Sequence, residues 1–474
     1  MRHLHNILIA LAVCIFAATS CIEDSFTYSS SDLLEFSCDT LSFDTIFTEL
    51  STPTKQFVVY NRHKKQIKIS SISLGSSSNS NFYLNVDGMK GEEFHDVTIR
   101  GGDNIYIFVE SKIAANGQNT PLRVEDKINF VTNTMPQQVV LRAWGQDVQR
   151  IYRTHLTSDV HFTNEKPYVL FDTLFVEKGA TLTIDAGAVL YFHDKAAMKI
   201  DGTLIANGTQ QAPIDLRGDR TDYLFKGANY DIMSGQWGGI EFTENSYCNE
   251  MSYVNMRGSS NGVSVKSAKT DKRALHIFNS VLRNSSGSVL TAENAWIEAE
   301  GCEICDAKKE VLSITGGKHH YINCTFGNYY LFGIRGSAII GVTLMDADNN
   351  PIHPTLSFDN CIISGNISEL SQNAFDGESI IFRNCMLRSK GSDDNNFLNC
   401  RWGGDAKFKI IRDKYIFDYR LGNDSEAIAV GDPSLCPDFA ATDRYGEKRI
   451  YNGSIDAGAY RWIESVDEDE NDNK

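Results

Sequence analysis

A short phrase recurs along the second half of the chain and constrains its fold more than any other feature. It has an Asn or Gly turn residue, a small residue and then strand-forming residues, as in FNSVL, EGCEI, INCTF, DNCII and RNCML. The small residues are Ser280, Cys302, Cys324, Cys361 and Cys385, at spacings of 22, 22, 37 and 24 residues. A strand-rich period of this length is typical of a solenoid, whose coils bury their apolar residues only against each other. The sequence therefore predicts stacked coils, with equivalent residues about 4.8 Å apart.

The coils are expected to begin well before the first of these phrases. The segment DTLFVEKGATLTIDAGAVLYFHDKAAMKIDGTLIANGTQQAPIDL repeats apolar-x-apolar units that are separated by glycine turns, with no helical pattern between them. The longest spacing indicates that one coil carries an insertion of about 15 residues, and such insertions map to loops on the side of a coil.

The cysteines of the recurring phrase have three interpretations. Cys302 and Cys305 have the C-x-x-C spacing of a metal or redox site, and the pair His319 and His320 follows nearby. Cys324, however, stands where Cys302 stands one coil earlier, and a zinc site needs a second close pair. We favour a ladder of small apolar side chains inside the solenoid. A disulfide and a metal site remain alternatives, and we assign no metal ligands.

The first half of the chain has a different pattern. Residues 38–150 contain short alternating runs such as KQFVVYN, KQIKISSISL, NFYLNVDG and DNIYIFVES, each bounded by Asn, Gly, Asp or Ser. Six or seven such strands in about 100 residues are typical of an immunoglobulin-like (Ig-like) β-sandwich. These runs also resemble the Ig-like modules of secreted bacterial proteins.

Two segments carry a resemblance to a known superfamily. The opening GATLTIDAGAVLYF, GTLIANGTQQAPI and QWGGIEF resembles the first coils of right-handed parallel β-helix proteins of the pectin-lyase-like superfamily. The closing DRYGEKRIYNGSIDAGAY is similar to the segment that ends many extracellular β-helices in D-x-G-A-Y. The resemblance implies an all-β chain, with the sandwich followed by a right-handed parallel β-helix over residues 151–462 and with Trp237 in the core.

The N-terminal sequence indicates an export signal. Residues 1–20 combine a basic start, an apolar run too short to span a bilayer, and small residues before Cys21. Ala18-Thr19-Ser20-Cys21 resembles a bacterial lipobox, which implies lipidation of Cys21 and an anchor in the outer membrane. Residues 21–37 are expected to form a tether, and residues 463–474 an acidic disordered tail. The whole architecture resembles a group of Bacteroides-type surface lipoproteins, which implies exposure on the cell surface.

The charge of the chain limits its partners. The formal net charge is −16, so the surface repels nucleic acid and anionic lipid. Acidic polysaccharide is also repelled, unless a local basic groove or a metal ion intervenes. We expect no nucleic-acid partner. The expected partners are the membrane lipid around the anchor and a surface glycan or an envelope protein.

Candidate catalytic residues are few. Asp393 and Asp394 in GSDDNN could serve a glycoside hydrolase, but the neighbouring motifs of such enzymes are missing. Adjacent strand residues also point to opposite faces, so a polar loop is the simpler interpretation. Arg412 in IIRDKY could serve as the base of a lyase that uses Ca²⁺, although the acidic calcium ligands are missing. Without such an activity we expect no cofactor.

Three aromatic residues are candidates for stacking against sugar rings. Tyr329 and Tyr330 precede the long insertion, and Trp402 lies in CRWGG near another irregular stretch. A buried or cross-strand role is the commoner fate of such residues.

The sequence favours a non-catalytic surface lipoprotein that presents a β-helix for binding to a glycan or a protein. The rival function is a polysaccharide lyase or glycoside hydrolase. A third alternative is an accessory subunit of an outer-membrane complex. An enzyme should place acidic and basic residues on one flank of neighbouring coils, whereas a binding protein should place aromatic and amide residues there.

Overall fold

The structure is a computed structural model in which two compact units divide the chain, Met1–Asp147 and Val148–Lys474. It describes residues 25–225, 228–346, 348–371, 375 and 378–464. The predicted lipidation site, Cys21, and the predicted signal at residues 1–20 lie outside the described residues. Regular structure in the described part consists of β-strands and single 3₁₀ turns, so the chain is all-β, as predicted.

The N-terminal unit consists of two five-stranded sheets. The first sheet has, in spatial order, Glu35–Phe36, Lys55–Tyr60, Asn104–Ser111, Phe82–Val86 and Met89–Gly91. The second sheet has Thr40–Phe47, Met135–Gln146, Leu122–Thr132, Ile67–Leu74 and Glu93–Ile99. Neighbouring strands are antiparallel, except that Thr40–Phe47 runs parallel to Met135–Gln146. Alternate residues of both sheets, such as Phe57 and Phe130, are buried in one shared core.

Part of the predicted tether is ordered in this unit. Phe26 forms a bridge with Gln66, and the strand Glu35–Phe36 pairs with Val59 and Tyr60. Leu34 is buried in the core of the unit. These contacts hold parts of the segment from Phe26 onward against the sheets, with Leu34 in the core and Phe36 packed against it, whereas Tyr28 and Leu33 stay exposed.

The C-terminal unit is built from three long parallel sheets, which we name sheets I, II and III. Sheet I has the strands Gln149–Ile151, Tyr168–Leu170, Val189–Phe192, Ile214–Gly218, Val254–Arg257, Val281–Ser285, Glu303–Ala307, Thr325–Asn328, Ile362–Gly365, Met386–Leu387 and Arg401–Trp402. Sheet II has Thr154–Leu156, Leu174–Val176, Ala197–Ile200, Gly239–Phe242, Val263–Lys266, Leu290–Glu293, Leu312–Thr315 and Ile340–Thr343. Sheet III has Val160–Phe162, Thr181–Ile184, Thr203–Asn207, Asn249–Ser252, Leu275–Phe278, Trp296–Glu300, Lys318–Ile322, Thr355–Asp359, Ser379–Arg383 and Phe397–Leu398. The chain visits the sheets in turn, and each strand pairs with the next of its own sheet, which is consistent with a parallel β-helix.

The remaining elements are short. Two hairpins pair Tyr223–Phe225 with Ala228–Asn229 and Ile450–Tyr451 with Ser454–Ile455. Single 3₁₀ turns occur at Ser77–Asn79, Tyr230–Ile232, Arg412–Lys414, Pro433–Leu435 and Asp438–Ala440. None of the helical segments in the described residues has the length and apolar character needed to cross a membrane.

The recurring phrase has the predicted role in the coils. Its turn residues, such as Asn323 and Asn360, have the left-handed backbone conformation, with φ of 48° and 52°. That conformation suits Asn and Gly, and it directs the following cysteine into the core. Cys302, Cys324 and the two later cysteines of the phrase are fully buried, and every cysteine in the described ranges is a free thiol. The predicted inward orientation of these cysteines is therefore confirmed, and Trp237 is buried as predicted.

Residues 404–462 lie along the outer face of sheet I, and we name this segment the C-terminal strap. Asparagines from the left-handed turns of four coils donate their side-chain amides to its backbone: Asn279 to Thr442 O at 3.3 Å, Asn323 to Asp456 O at 3.3 Å, Asn360 to Asp432 O at 3.0 Å and Asn384 to Val430 O at 3.3 Å. The D-x-G-A-Y segment closes the strap, because the Asp456 carboxylate accepts hydrogen bonds from the backbone of Ala429 and Trp462. The repeated asparagines thus serve both the turn and the strap.

Candidate functional site

Polar side chains from four successive strands of sheet I collect on its outer face. Asp215 pairs in register with Asn255, and Arg257 with Arg283. Glu303 continues the row in the next strand. The residues between them, such as Leu216 and Met256, point into the core, because side chains alternate along a strand. Each coil thus adds one or two polar groups to the same flank.

One cavity on this flank has an aromatic lining, and we name it the aromatic cavity. Its volume is about 190 Å³. It is lined by Asn229, Asp231, Ile232, Arg257, Arg283, Asn284, Asp306, Tyr330, Leu331, Phe332, Tyr415 and Phe417. These residues come from sheet I, from residues 229–232, from residues 330–332 shortly after the strand Thr325–Asn328, and from the strap.

A second cavity lies on the same flank and has a more polar lining, and we name it the polar groove. Its volume is about 400 Å³. It is lined by Asp215, Asn255, Met256, Arg257, Val281, Arg283, Glu303, Phe417, Asp418, Arg420, Arg444, Tyr445 and Tyr460. Arg257, Arg283 and Phe417 line both cavities, so the two cavities adjoin.

Arg257 lines both cavities and forms ion pairs with two aspartates. Its Nε donates to Asp231 Oδ2 at 2.6 Å, and its Nη1 donates to Asp215 Oδ1 at 3.3 Å. Arg217 adds a second ion pair with Asp231, with its Nη2 3.1 Å from Oδ1. These pairs are mostly buried, and they hold the arginine in one orientation with its planar face fixed.

Glu303 is a buried carboxyl on the wall of the polar groove. Only 5% of the residue is exposed, and its Oε2 accepts a hydrogen bond from the Tyr460 hydroxyl at 2.6 Å. Its Oε1 lies 3.8 Å from Nη1 of Arg283. Burial raises the pKa of Glu303 above its ordinary value, although Arg283 and the Tyr460 hydrogen bond act in the opposite direction. A carboxyl of this kind keeps its proton to a higher pH than an exposed one.

Asp306 is a second buried carboxyl, on the wall of the aromatic cavity. Its Oδ1 accepts hydrogen bonds from the Tyr419 hydroxyl at 2.6 Å and from the backbone of Tyr329 at 2.9 Å. Burial raises its pKa, against the effect of those hydrogen bonds and of nearby arginines. The strap therefore supplies one tyrosine hydroxyl to each buried carboxyl, Tyr460 to Glu303 and Tyr419 to Asp306.

The three predicted aromatic residues lie in different surroundings. Tyr330 is buried in the wall of the aromatic cavity, and its hydroxyl is 2.7 Å from Ser234 Oγ. Tyr329 is partly buried under the strap, where its ring packs on Tyr419 and its hydroxyl is 3.0 Å from Ser364 Oγ. Trp402 packs on Phe397 at the end of the solenoid. Only Tyr330 belongs to the lining of either cavity.

The predicted catalytic alternatives occupy a different region. Asp393 accepts hydrogen bonds from Trp402 Nε1 at 3.0 Å and from the backbone of Cys400. Asp394 accepts hydrogen bonds from the backbone of two following residues, which closes a turn. Arg412 lies in the strap, in the 3₁₀ turn Arg412–Lys414. Within the described ranges, no hydrogen bond or ion pair joins Arg412 to either aspartate, and no group of three His, Cys, Asp or Glu side chains could hold a metal ion.

Sequence reasoning missed the arginines and the buried carboxyls of this flank. Glu303 lies inside the CEIC phrase, whose C-x-x-C spacing is the more conspicuous signal. Aligning the coils on the turn residue would have stacked Val281 on Glu303 and Arg283 on Cys305, as the register shows. That alignment identifies outward-facing charges, but it gives no sign of the strap that covers them.

Comparisons with known proteins give no family for this chain. No protein-family model matches it, and no curated protein matches it. Among solved structures, it matches that of a family 123 glycoside hydrolase from Clostridium perfringens, described in a study of glycolipid glycan hydrolysis, with a TM-score of 0.17 and 8% identity. The match covers 24% of this chain and 26% of that chain, so this chain spans about a quarter of the hydrolase. A match at this level carries no argument about fold or function.

Proposed function

We propose that this chain is an outer-membrane surface lipoprotein, anchored through Cys21, that binds a glycan on the flank of sheet I. In this proposal the parallel sheets form a right-handed β-helix of the pectin-lyase-like kind, and the N-terminal unit is Ig-like. The supporting observation is the adjoining pair of cavities, which bring charged, amide and aromatic side chains together across four strands and the strap.

The chemistry of the two cavities suits a sugar. Sugar hydroxyls both donate and accept hydrogen bonds, and Asp215, Asn255 and Arg257 offer acceptors and donors side by side. The C–H faces of a sugar ring pack on aromatic rings, and Tyr330 and Tyr415 supply such rings in the aromatic cavity. A few fixed polar groups beside apolar walls are typical of small-ligand sites.

A glycan array tests this proposal directly. The detergent-solubilised full chain is expected to retain a defined set of glycans, and Arg257→Ala is expected to lose them, because Arg257 lines both cavities and contacts Asp231 and Asp215. Arg401→Gln is the matched control, since Arg401 is an exposed sheet I residue outside both cavities that pairs with Glu426. Equal retention by Arg257→Ala and the parent chain would contradict a glycan site on this flank.

Anchoring has a separate test. Cells grown with a labelled lipid precursor are expected to label the parent chain but not Cys21→Ala. Because the proposed location is the outer surface, protease treatment of intact cells is expected to degrade the parent chain. Label on Cys21→Ala would contradict the assignment of the anchor. A stable protein that co-purifies with the chain, with no glycan retained, would favour the accessory subunit of an outer-membrane complex instead.

A second candidate function is a glycoside hydrolase or polysaccharide lyase. Glu303 favours it, because a buried carboxyl with a raised pKa on a groove wall is a typical proton donor in sugar chemistry. Acidic and basic groups also share one flank, as expected of an enzyme. Reducing ends or unsaturated ultraviolet-absorbing products released from a retained glycan would support this activity. Glu303→Gln should then abolish turnover while the glycan is still bound, and release of product by Glu303→Gln would exclude that role.

A further inference from the structure

Two buried polar atoms of residues that line the polar groove have no hydrogen-bond partner among the described residues. They are Nη1 of Arg444 and Oε1 of Glu303. Buried polar atoms in folded proteins almost always have partners, so each exception needs an explanation. Glu303 is the more constrained of the two residues, because it lines the groove and only 5% of it is exposed.

The four arginines that line the polar groove differ in whether a close carboxylate neutralises their charge. Asp418 pairs with Arg420 at 2.6 Å, and Asp215 pairs with Arg257 at 3.3 Å. Arg283 and Arg444 have no such partner in the described part of the chain, apart from the loose contact of 3.8 Å between Arg283 and Glu303. Two guanidinium groups therefore face the groove without a close carboxylate.

The remaining contacts of these two arginines fix their positions. Nη2 of Arg444 donates to Asn255 Oδ1 at 2.7 Å, and Nη1 of Arg283 donates to Phe417 O at 3.1 Å. Both partners are neutral acceptors, so they orient the guanidinium groups without neutralising them. Preorganised guanidinium groups with spare N–H donors suit carboxylates, sulfates and phosphates.

The groove is also locally basic on a strongly acidic chain. Its lining has four arginines against three carboxyls, whereas the chain as a whole has a net charge of −16. Burial raises the pKa of Glu303, which makes the groove more basic still. A basic groove on an acidic surface attracts anions to one place, because the rest of the surface repels them.

We propose that the polar groove binds an anionic oxygen group, a carboxylate or a sulfate ester, between Arg283 and Arg444. One such group accounts for the free Nη1 of Arg444 and for the spare donors of Arg283. Burial favours the protonated form of Glu303, and in that form its Oε1 hydroxyl can donate to the same group. The inference rests on the proposed function only in taking the anionic group to be part of a glycan.

The test uses three small probes on the full chain. Inorganic sulfate and D-glucuronate represent the sulfate and the carboxylate, and D-glucose is the neutral match for glucuronate. Binding is measured by calorimetry and by the shift of the thermal midpoint, with chloride at equal ionic strength as the reference. We expect at least one anion to bind with 1:1 stoichiometry and D-glucose not to bind. Whichever anion binds more tightly identifies the source of the charge.

Two substitutions decide whether the groove is the site. Arg283→Gln and Arg444→Gln are each expected to weaken anion binding at least tenfold, and Arg401→Gln is expected to leave it unchanged. A thermal midpoint of each variant without anion shows whether it is folded. Loss of binding in Arg401→Gln, or unchanged binding in both groove variants, would overturn the proposal.

The test of anion binding can succeed or fail independently of the glycan array. If the array retains only neutral glycans and sulfate does not compete with them, the proposed function stands and the anion site fails. If sulfate or glucuronate binds with the expected arginine dependence while no glycan is retained, the anion site stands and glycan binding fails.

Discussion

The hydroxyl of Tyr460 donates a 2.6 Å hydrogen bond to Oε2 of Glu303, and both residues are buried. Tyr460 is the last residue of D-x-G-A-Y in the strap, whereas Glu303 lies on sheet I, 157 residues earlier. The contact thus joins the end of the chain to the middle of the solenoid. It also explains how a carboxyl can be buried on the outer face of a sheet, because the strap covers it and gives one oxygen a partner.

Removing this hydroxyl should destabilise the C-terminal unit. Tyr460→Phe keeps the ring but leaves Oε2 of Glu303 without its donor, and an unsatisfied buried group costs about 1–3 kcal/mol. Urea unfolding followed by tryptophan fluorescence measures the loss. Tyr451→Phe is the matched control, since Tyr451 lies in the same strap but is 55% exposed. A change of less than about 0.5 kcal/mol is expected there. Equal effects of the two substitutions would contradict the role of the buried hydrogen bond.

The asparagine ladder should hold the strap in place. Asn360 donates to Asp432 O at 3.0 Å, accepts from Asp432 N at 2.8 Å, and has φ of 52°. Asn360→Ala loses both hydrogen bonds and introduces left-handed strain, so we expect a loss of about 2–4 kcal/mol. Asn360→Gly avoids the strain and should cost less. Faster hydrogen exchange around residue 432 would locate the effect in the strap.

A control separates the strain from the strap contacts. Asn349 also has a left-handed backbone, with φ of 62°, but it is exposed in the insertion. Asn349→Ala should therefore show the strain alone, about 1–2 kcal/mol, with no change of exchange in the strap. If Asn360→Ala behaves in the same way, the asparagine serves only the turn.

The cysteines of the ladder should not react with thiol reagents in the folded chain. Cys302, Cys324, Cys361 and Cys385 are fully buried, whereas Cys248 is exposed. A thiol reagent is therefore expected to modify Cys248 quickly in the native protein and the four ladder cysteines only after unfolding. Under denaturing, non-reducing conditions, all nine free cysteines of the described ranges should react. Protection of ladder cysteines in the denatured chain would indicate disulfides and contradict the free-thiol ladder.

Local sequence patterns are sufficient to predict the solenoid, but they do not predict the residues that form the candidate site. The phrase around Asn323 and Cys324 carries its own structural reason, because an Asn turn with a small inward residue satisfies a local backbone requirement. The spacing at which this phrase recurs then determines which residues stack on each other in neighbouring coils. The site, in contrast, needs a segment that returns from far along the chain. Tyr419 reaches Asp306 over 113 residues, and no local spacing records such a contact. Asp393 and Arg412 are candidates by residue type and local motif, and a linear sequence carries no information on the distance between them.

The two buried carboxyls should make the stability of the C-terminal unit depend on pH in a defined direction. Burial raises the folded-state pKa of Glu303 and of Asp306 above their ordinary values of 4.5 and 3.8. A group with a raised folded-state pKa stabilises the fold fully below its ordinary pKa, and the stabilisation is lost as the pH rises through the folded-state pKa. Each group is therefore expected to cost up to about 1.4 kcal/mol for every unit of pKa shift.

The measurement is the difference in unfolding free energy between the parent chain and Glu303→Gln, taken at several pH values from about 3 upward. Gln matches the neutral carboxyl in shape and does not ionise, so other titrating groups cancel in the difference. We expect the variant to gain stability relative to the parent as the pH rises above 4.5, the ordinary value for Glu. Asp306→Asn should show the same trend from a lower starting pH. A difference that stays constant with pH, or that favours the parent at higher pH, would contradict the raised pKa and remove the reason to treat Glu303 as a proton donor in the groove.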